Sequence, residues 1–377
     1  MDFELSDDQQ LFWETARKFL DAECPPATVR ALADEPAGFD RAWWTRAAAL
    51  GWTSFFVPEE LGGGTVSGRP VLDLVIVAEE LGRHVGPGPL LPVNVVAGAV
   101  AAYGNDEQRA EILPALASGE QIATWAYAEP GGGWWGRDVA LRAEPVAGGW
   151  TLDGDKAYVE ASAEAGWLLV TARAPDGLIQ FLVPADVDGV TVTPVDSLDL
   201  VRRFGHVRFD QARVPASAVL GDPADASAAV DQQLQVALAV QCAEMVGAID
   251  RVFEFTVQWA FDRYSFGRPL ASYQALKHRF ADMKMWLEAC HGTATVAARA
   301  VDGGRDDAAE LVSVAKAYIG DHAPELVQDC VQLHGGIGIT WEHDIHLYLR
   351  RVTLDRALYG SPAQHRDRVA SMLGMDG

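Results

Sequence analysis

Leu238-Ala-Val-Gln-Cys242-Ala-Glu-Met245-Val-Gly-Ala-Ile249-Asp-Arg-Val252-Phe-Glu-Phe-Thr256 repeats its apolar residues at three- and four-residue spacings, which makes one buried helix face. A second stripe, Leu276, Phe280, Met283, Leu287, Cys290, Ala294, Ala297 and Val301, keeps the same period until Gly303-Gly304 breaks it. A third helix is expected from about Asp307 to Leu333, so the C-terminal part reads as a helix bundle. Upstream the texture changes. Between about 121 and 225 short apolar runs (Trp150-Thr-Leu, Ala157-Tyr-Val, Trp167 to Ala172, Leu178 to Val183, Val190 to Val195) are punctuated by turn residues, with Asp153-Gly154 read as a turn. That segment predicts a small antiparallel sheet or barrel. Residues 1 to about 120 read as helices between Gly/Pro loops, opening on Ser6-Asp-Asp-Gln9, a capping-box pattern. The expected fold class is therefore α+β: a helical domain over 1–120, a β domain over 121–225 and a helix bundle over 226–377.

Composition narrows the function. The chain has 377 residues, 49% of them hydrophobic, which is ample for two or three packed domains. Its 53 acidic and 30 basic side chains give a formal charge of −23, which repels nucleic-acid phosphates and anionic lipid. The start, Met1-Asp-Phe-Glu-Leu-Ser-Asp-Asp8, is acidic where a targeting peptide would be basic, and the apolar run Val93 to Tyr103 is too short to span a bilayer. A cytoplasmic protein without nucleic-acid or membrane partners is expected. Cys24, Cys242, Cys290 and Cys330 form no CxxC pair, so neither a metal site nor a disulfide framework is indicated, and they read as small buried apolar residues.

A series of local strings carries a resemblance: Val57-Pro-Glu-Glu-Leu-Gly-Gly, Glu79-Glu-Leu-Gly, Leu113-Pro-Ala-Leu-Ala-Ser-Gly-Glu, Ala128-Glu-Pro-Gly, Gly154-Asp-Lys-Ala-Tyr, Val207-Arg-Phe-Asp-Gln-Ala-Arg-Val-Pro, Arg263-Tyr-Ser-Phe-Gly and Gln332-Leu-His-Gly-Gly-Ile-Gly. In this order and spacing the chain resembles, over nearly its whole length, the acyl-CoA dehydrogenases, flavin enzymes that oxidise acyl-CoA thioesters to enoyl-CoA. The resemblance implies FAD, a carboxylate base and a site shared between neighbouring subunits. It assigns FAD contacts to Arg263, Phe266, Gln274, Gln332, Leu333, Gly335, Gly336 and Gly338. Arg263 offers a charged fork for a pyrophosphate, Phe266 an apolar face, and the glycines a backbone that a dinucleotide can approach closely.

The half of the site that would hold the flavin ring departs from the family. Where the family has hydroxyl residues at the flavin edge, this chain has Ala128 and Tyr158-Val159-Glu160. The stretch Gly131-Gly-Gly-Trp-Trp-Gly-Arg-Asp138 puts Trp134 and Trp135 where cofactor and thioester should enter, either as a remodelled pocket or as packing on the sheet or a neighbouring subunit. The usual base aligns with Tyr359, ahead of Gly360, and its alternative position falls on Ala237. A tyrosine is a poor base at neutral pH, and Tyr359 is expected to be a buried, hydrogen-bonded aromatic. Glu244, on the same long helix, is the substitute carboxylate that could reach inward, while His334 and His343 read as structural. No catalytic residue is assigned. The leading expectation is an accessory subunit that completes FAD sites on a base-bearing partner, as in heteromeric, steroid side-chain type enzymes, with an acyl-CoA as substrate and an electron-transfer flavoprotein as acceptor. The alternatives are an autonomous homotetramer with a displaced base, a flavin-free scaffold, and a flavin oxidoreductase of different chemistry.

Overall fold

The capping box at the start forms as read: Ser6 Oγ accepts from Gln9 N at 3.2 Å and Gln9 Oε1 accepts from Ser6 N at 3.3 Å. It opens α1 (Asp7–Glu23), followed by α2 (Pro26–Ala31), α3 (Arg41–Ala49), α4 (Pro70–His84), α5 (Leu90–Tyr103) and α6 (Asp106–Ala117). The computed structural model describes residues 5–131 and 133–375. The acidic start Met1–Glu4 and Gly132 of the tryptophan loop lie outside the described residues.

Seven strands follow: β1 (Ala123–Ala126), β2 (Arg142–Val146), β3 (Gly149–Glu160), β4 (Trp167–Ala174), β5 (Gly177–Pro184), β6 (Val190–Val195) and β7 (Phe204–Pro215). They form one sheet in the order β1-β4-β2-β3-β7-β6, with β5 also paired to β4. Pairing is antiparallel except where β4 runs parallel to β1 and, at one residue pair, to β2. The expected turn at Asp153-Gly154 does not occur. The β2–β3 hairpin turns instead at Ala147-Gly148, and β3 runs on through Gly154. Gly154 sits at φ +146° beside a bulge against β7, and a Cβ there would come within 3.0 Å of the Leu141 backbone. Pairing on both edges of β3 overrides the local turn signal, and glycine supplies the bulge instead.

The bundle comprises α7 (Ala226–Asp262), α8 (Gln274–Asp302), α9 (Ala308–His334), α10 (Ile345–Ala357) and α11 (Pro362–Met372). Met283, Leu287, Cys290, Ala294 and Ala297 are buried as the stripe on α8 requires, and all four cysteines are buried free thiols. Two glycines let α4 lie directly on α7: a Cβ on Gly82 would stand 1.9 Å from Glu244 O, and one on Gly247 would stand 1.8 Å from Glu79 O. Gly247→Ala is therefore expected to destabilise by about 3 kcal/mol, read by urea unfolding, because backbone rather than a flexible side chain must give way. An unchanged midpoint would show that this approach is not tight. Among the described residues, no helix is long and apolar enough to cross a membrane.

Candidate functional site

Two segments meet at one end of the bundle. Helix α7 ends at Arg263, whose N–H bonds Trp259 O at 2.9 Å and whose carbonyl accepts from Leu270 N at 2.8 Å, closing the small hairpin in which Tyr264 and Ser265 pair with Pro269 and Arg268. The hairpin holds Phe266 at φ +50° and 97% exposed. The Arg263 guanidinium is exposed and lies over the Trp259 ring at 5.9 Å; no carboxylate of the described residues pairs with it. Gln274 starts α8 on the surface, its amide 3.0 Å from His278 Nε2. Gln332 is exposed and Leu333 half-buried at the end of α9, and His334 stacks on the Trp259 ring at 5.2 Å. The Arg263 and glycine motifs, distant in sequence, thus share Trp259.

The glycines of the cluster divide by role. Gly335 adopts φ +65°, and both Gly335 and Gly336 face open space, with no atom within 4 Å of where a Cβ would stand. Gly338 is different: its Cβ would meet Val331 O at 2.6 Å, so it serves the close turn. An unpaired guanidinium fork with two open glycines suits an oxyanion chain, and exposed Phe266 suits a planar apolar group. The residues here fit the pyrophosphate side of a dinucleotide.

A second cluster is built from buried charge. At the end of β3 both oxygens of Glu160 accept from Arg202, at 3.0 and 2.8 Å. The same guanidinium donates to Asp355 at 2.6 Å and to Glu244 at 3.4 Å. Arg351 donates to Asp199 at 2.5 Å and also to the second oxygen of Glu244. Lys316 donates to Gln241 and to the Asp355 carbonyl. All of these side chains are buried. Burial, reinforced by Glu244, pushes the Asp355 carboxyl up to about 7, and burial brings the Lys316 ammonium down to about 8. Between α4, α5 and α7, Leu81, Leu90, Glu160, Arg202, Glu244 and Arg351 line a cavity of about 10 Å³, room for about one water. Glu244 does reach inward, but both its oxygens are held by guanidinium groups.

Tyr359 is buried at φ +58° after α10, stacked 5.9 Å from Trp125 and edge-on 5.5 Å from Trp134. Burial, and next the Glu160 carboxylate, raise its phenol above the ordinary tyrosine value, the wrong direction for a base. Ala237 is buried and offers no carboxylate. The tryptophan loop is built in: Tyr127 Oη donates to Trp134 O at 3.0 Å, and Trp134 stacks on exposed Tyr158 at 6.2 Å. Glu129 accepts from Ala140 N, Leu141 N and buried Lys156 at 2.7–2.9 Å, so the Glu-Pro and Gly-Asp-Lys strings tie this loop to β3. Burial lowers the pKa of His334, whose Nδ1 lies 2.8 Å from Cys330 O; His343 Nδ1 accepts from Ile345 N at 3.1 Å.

His365 makes a pH prediction. It is fully buried, its Nε2 lies 3.0 Å from Tyr359 O, and its Nδ1 has no partner among the described residues. Burial, with Lys316 adding to it, lowers its proton affinity to about 3. The folded chain therefore binds fewer protons than the unfolded chain between about 3 and 6.5, and His365 withdraws stability as pH falls below 6.5, by about 2 kcal/mol at pH 5. Asp355, with a raised value, acts with opposite sign in the same range. The check is the difference in unfolding free energy between the native chain and His365→Phe from pH 7 to 5. That difference should change by about 2 kcal/mol, and a flat difference would refute the assignment.

Residues 6–120 match the acyl-CoA dehydrogenase N-terminal domain and residues 228–374 the acyl-CoA dehydrogenase C-terminal domain. The chain belongs to the acyl-CoA dehydrogenase family. Acyl-CoA dehydrogenase IpdE2 of Mycolicibacterium smegmatis is 30% identical over 370 residues, spanning 97% of this chain and 98% of the relative. The ChsE4-ChsE5 complex of Mycobacterium tuberculosis has a chain that superposes with a TM-score of 0.89 at 28% identity, over 100% of both chains. A variant of the Tcur3481-Tcur3483 steroid ACAD superposes at 0.88 with 29% identity, over 98% of both. The two matched family stretches flank residues 121–227, which contain Ala128, the tryptophan loop, Glu160 and Arg202.

Two features were not read from the sequence. Trp259 is one of twelve tryptophans, with nothing local to single it out. The charge network joins Glu160, Asp199, Arg202, Glu244, Arg351 and Asp355 from separate segments. Its only sequence signal is charge at positions, such as Glu244, that sit among otherwise apolar helix residues.

Proposed function

We propose that this chain is the accessory subunit of a heteromeric acyl-CoA dehydrogenase. Its Arg263, Phe266, Gln274, Gln332, Leu333, Gly335, Gly336 and Gly338 complete an FAD site whose flavin ring and carboxylate base belong to a partner subunit. The observation that carries this reading is the contrast between the two halves: the pyrophosphate side is open and unpaired, while the ring side is filled by the Glu160–Arg202–Asp355 cluster with Tyr359 at the base position. A flavin, when bound, accepts the hydride from the thioester β-carbon. This chain's part is to hold the cofactor's charged tail through Arg263 and the open backbone at Gly335 and Gly336, and to exclude substrate from its own ring side. Likeness to structures named for two-component complexes, one of them a steroid ACAD, supports a bulky acyl-CoA as the substrate class. An electron-transfer flavoprotein is the proposed acceptor, on the family habit.

The test is the visible spectrum and FAD content of the chain purified alone, compared with the complex purified from its source through a tag on this chain. A colourless lone chain and a yellow complex with one FAD for every two chains, active on an acyl-CoA, is the expected result. A yellow lone chain carrying one FAD per chain and bleached by an acyl-CoA would overturn it.

A further inference from the structure

We infer that Trp259 is the residue that positions the two halves of the pyrophosphate grip, holding the Arg263 fork and the glycine cluster in register. This rests on the proposed FAD contact of those two motifs and adds a residue to which neither the family strings nor the site chemistry points. Trp259 lies one helical turn before Arg263, so the guanidinium folds back over its ring at 5.9 Å, and a tryptophan face is the strongest cation–π partner a protein offers. The same ring stacks on His334 at 5.2 Å and 22°, and His334 immediately precedes Gly335. His334 is fixed in turn by its bond to Cys330 O, by His343 at 4.4 Å and by Phe255 at 5.8 Å.

One indole therefore touches both motifs, and it sets the distance between a long flexible arginine and a backbone that must meet the same anion. Arg263 has no carboxylate partner among the described residues to hold its rotamer, so the ring is what restrains it. The Trp259 Nε1 is buried with no hydrogen-bond partner among the described residues, a penalty that phenylalanine would avoid at the same place.

The experiment uses the native complex purified through a tag on this chain, with FAD as the probe. It compares Trp259→Phe, Trp259→Tyr and Arg263→Ala for FAD dissociation constant and melting temperature. Trp259→Phe is expected to weaken FAD binding at least fivefold while the apo-complex melts at or above the native temperature. Trp259→Tyr, with a stronger ring face than phenylalanine, should recover part of the affinity. If Arg263→Ala weakens FAD and Trp259→Phe leaves it unchanged, the positioning role is overturned while the FAD site stands. If neither changes FAD affinity, the site assignment itself fails, and the role of Trp259 with it. A parallel loss of melting temperature and affinity in both tryptophan variants would reduce Trp259 to a packing residue and would also overturn the inference.

Discussion

Arg202→Met is expected to destabilise the chain by about 3–5 kcal/mol, a large share of the stability a domain of this kind possesses. Arg202 is 4% exposed and donates to Glu160, Asp355 and Glu244. Removing it leaves three buried carboxylates facing one another, with Arg351 and Lys316 as the remaining cations of the cluster. The unpaired charge, rather than the loss of Coulomb attraction, carries most of the effect, because desolvated ions are penalised heavily once their partner is gone. Urea unfolding measures it. Two further variants separate charge from packing: Glu160→Gln in the Arg202→Met background should recover part of the loss, because one unpaired carboxylate becomes neutral. Rising proton uptake should also make the single variant less unstable at pH 5 than at pH 8. A loss below about 1 kcal/mol would mean that water reaches the cluster.

The same cluster marks the boundary of what the sequence discloses. Helical periodicity predicted α7, α8 and α9 because their buried faces repeat regularly, and the break at Gly303-Gly304 falls where α8 ends at Asp302. β1 carries no strand signal in the sequence because Ala123, Thr124, Trp125 and Ala126 are all buried and show no alternation. The reading of Asp153-Gly154 as a turn failed because a local dipeptide signal was outweighed by pairing on both edges of β3. Tyr359 could be found position by position, since a missing carboxylate is visible in the sequence itself. What fills the space around it could not, because Glu160, Arg202 and Asp355 come from the end of a strand, a loop and a helix and meet only in three dimensions. The buried charge cluster is a tertiary property, whereas the Arg263 and glycine motifs are local.

Arg263→Ala is expected to weaken FAD binding by the native complex about 10- to 100-fold while leaving the fold intact. A charge-assisted hydrogen bond contributes about 1.5–3 kcal/mol, and each 1.4 kcal/mol is tenfold in affinity. Stability should hardly change, because the exposed guanidinium has no ion pair among the described residues and only the Trp259 ring beneath it. Arg263→Lys keeps the charge and loses the fork, so it should fall between the two. FAD content after dialysis and a fluorescence titration of the apo-complex measure the effect, with the melting temperature of the isolated chain as control. The effect should also shrink in high salt, since the interaction is ionic and partly open to solvent. If FAD retention in Arg263→Ala matches the native complex, Arg263 is a solvated surface arginine. The open glycines alone would then have to account for any hold on the cofactor, and the accessory-subunit reading would lose the charge on which its division of labour depends.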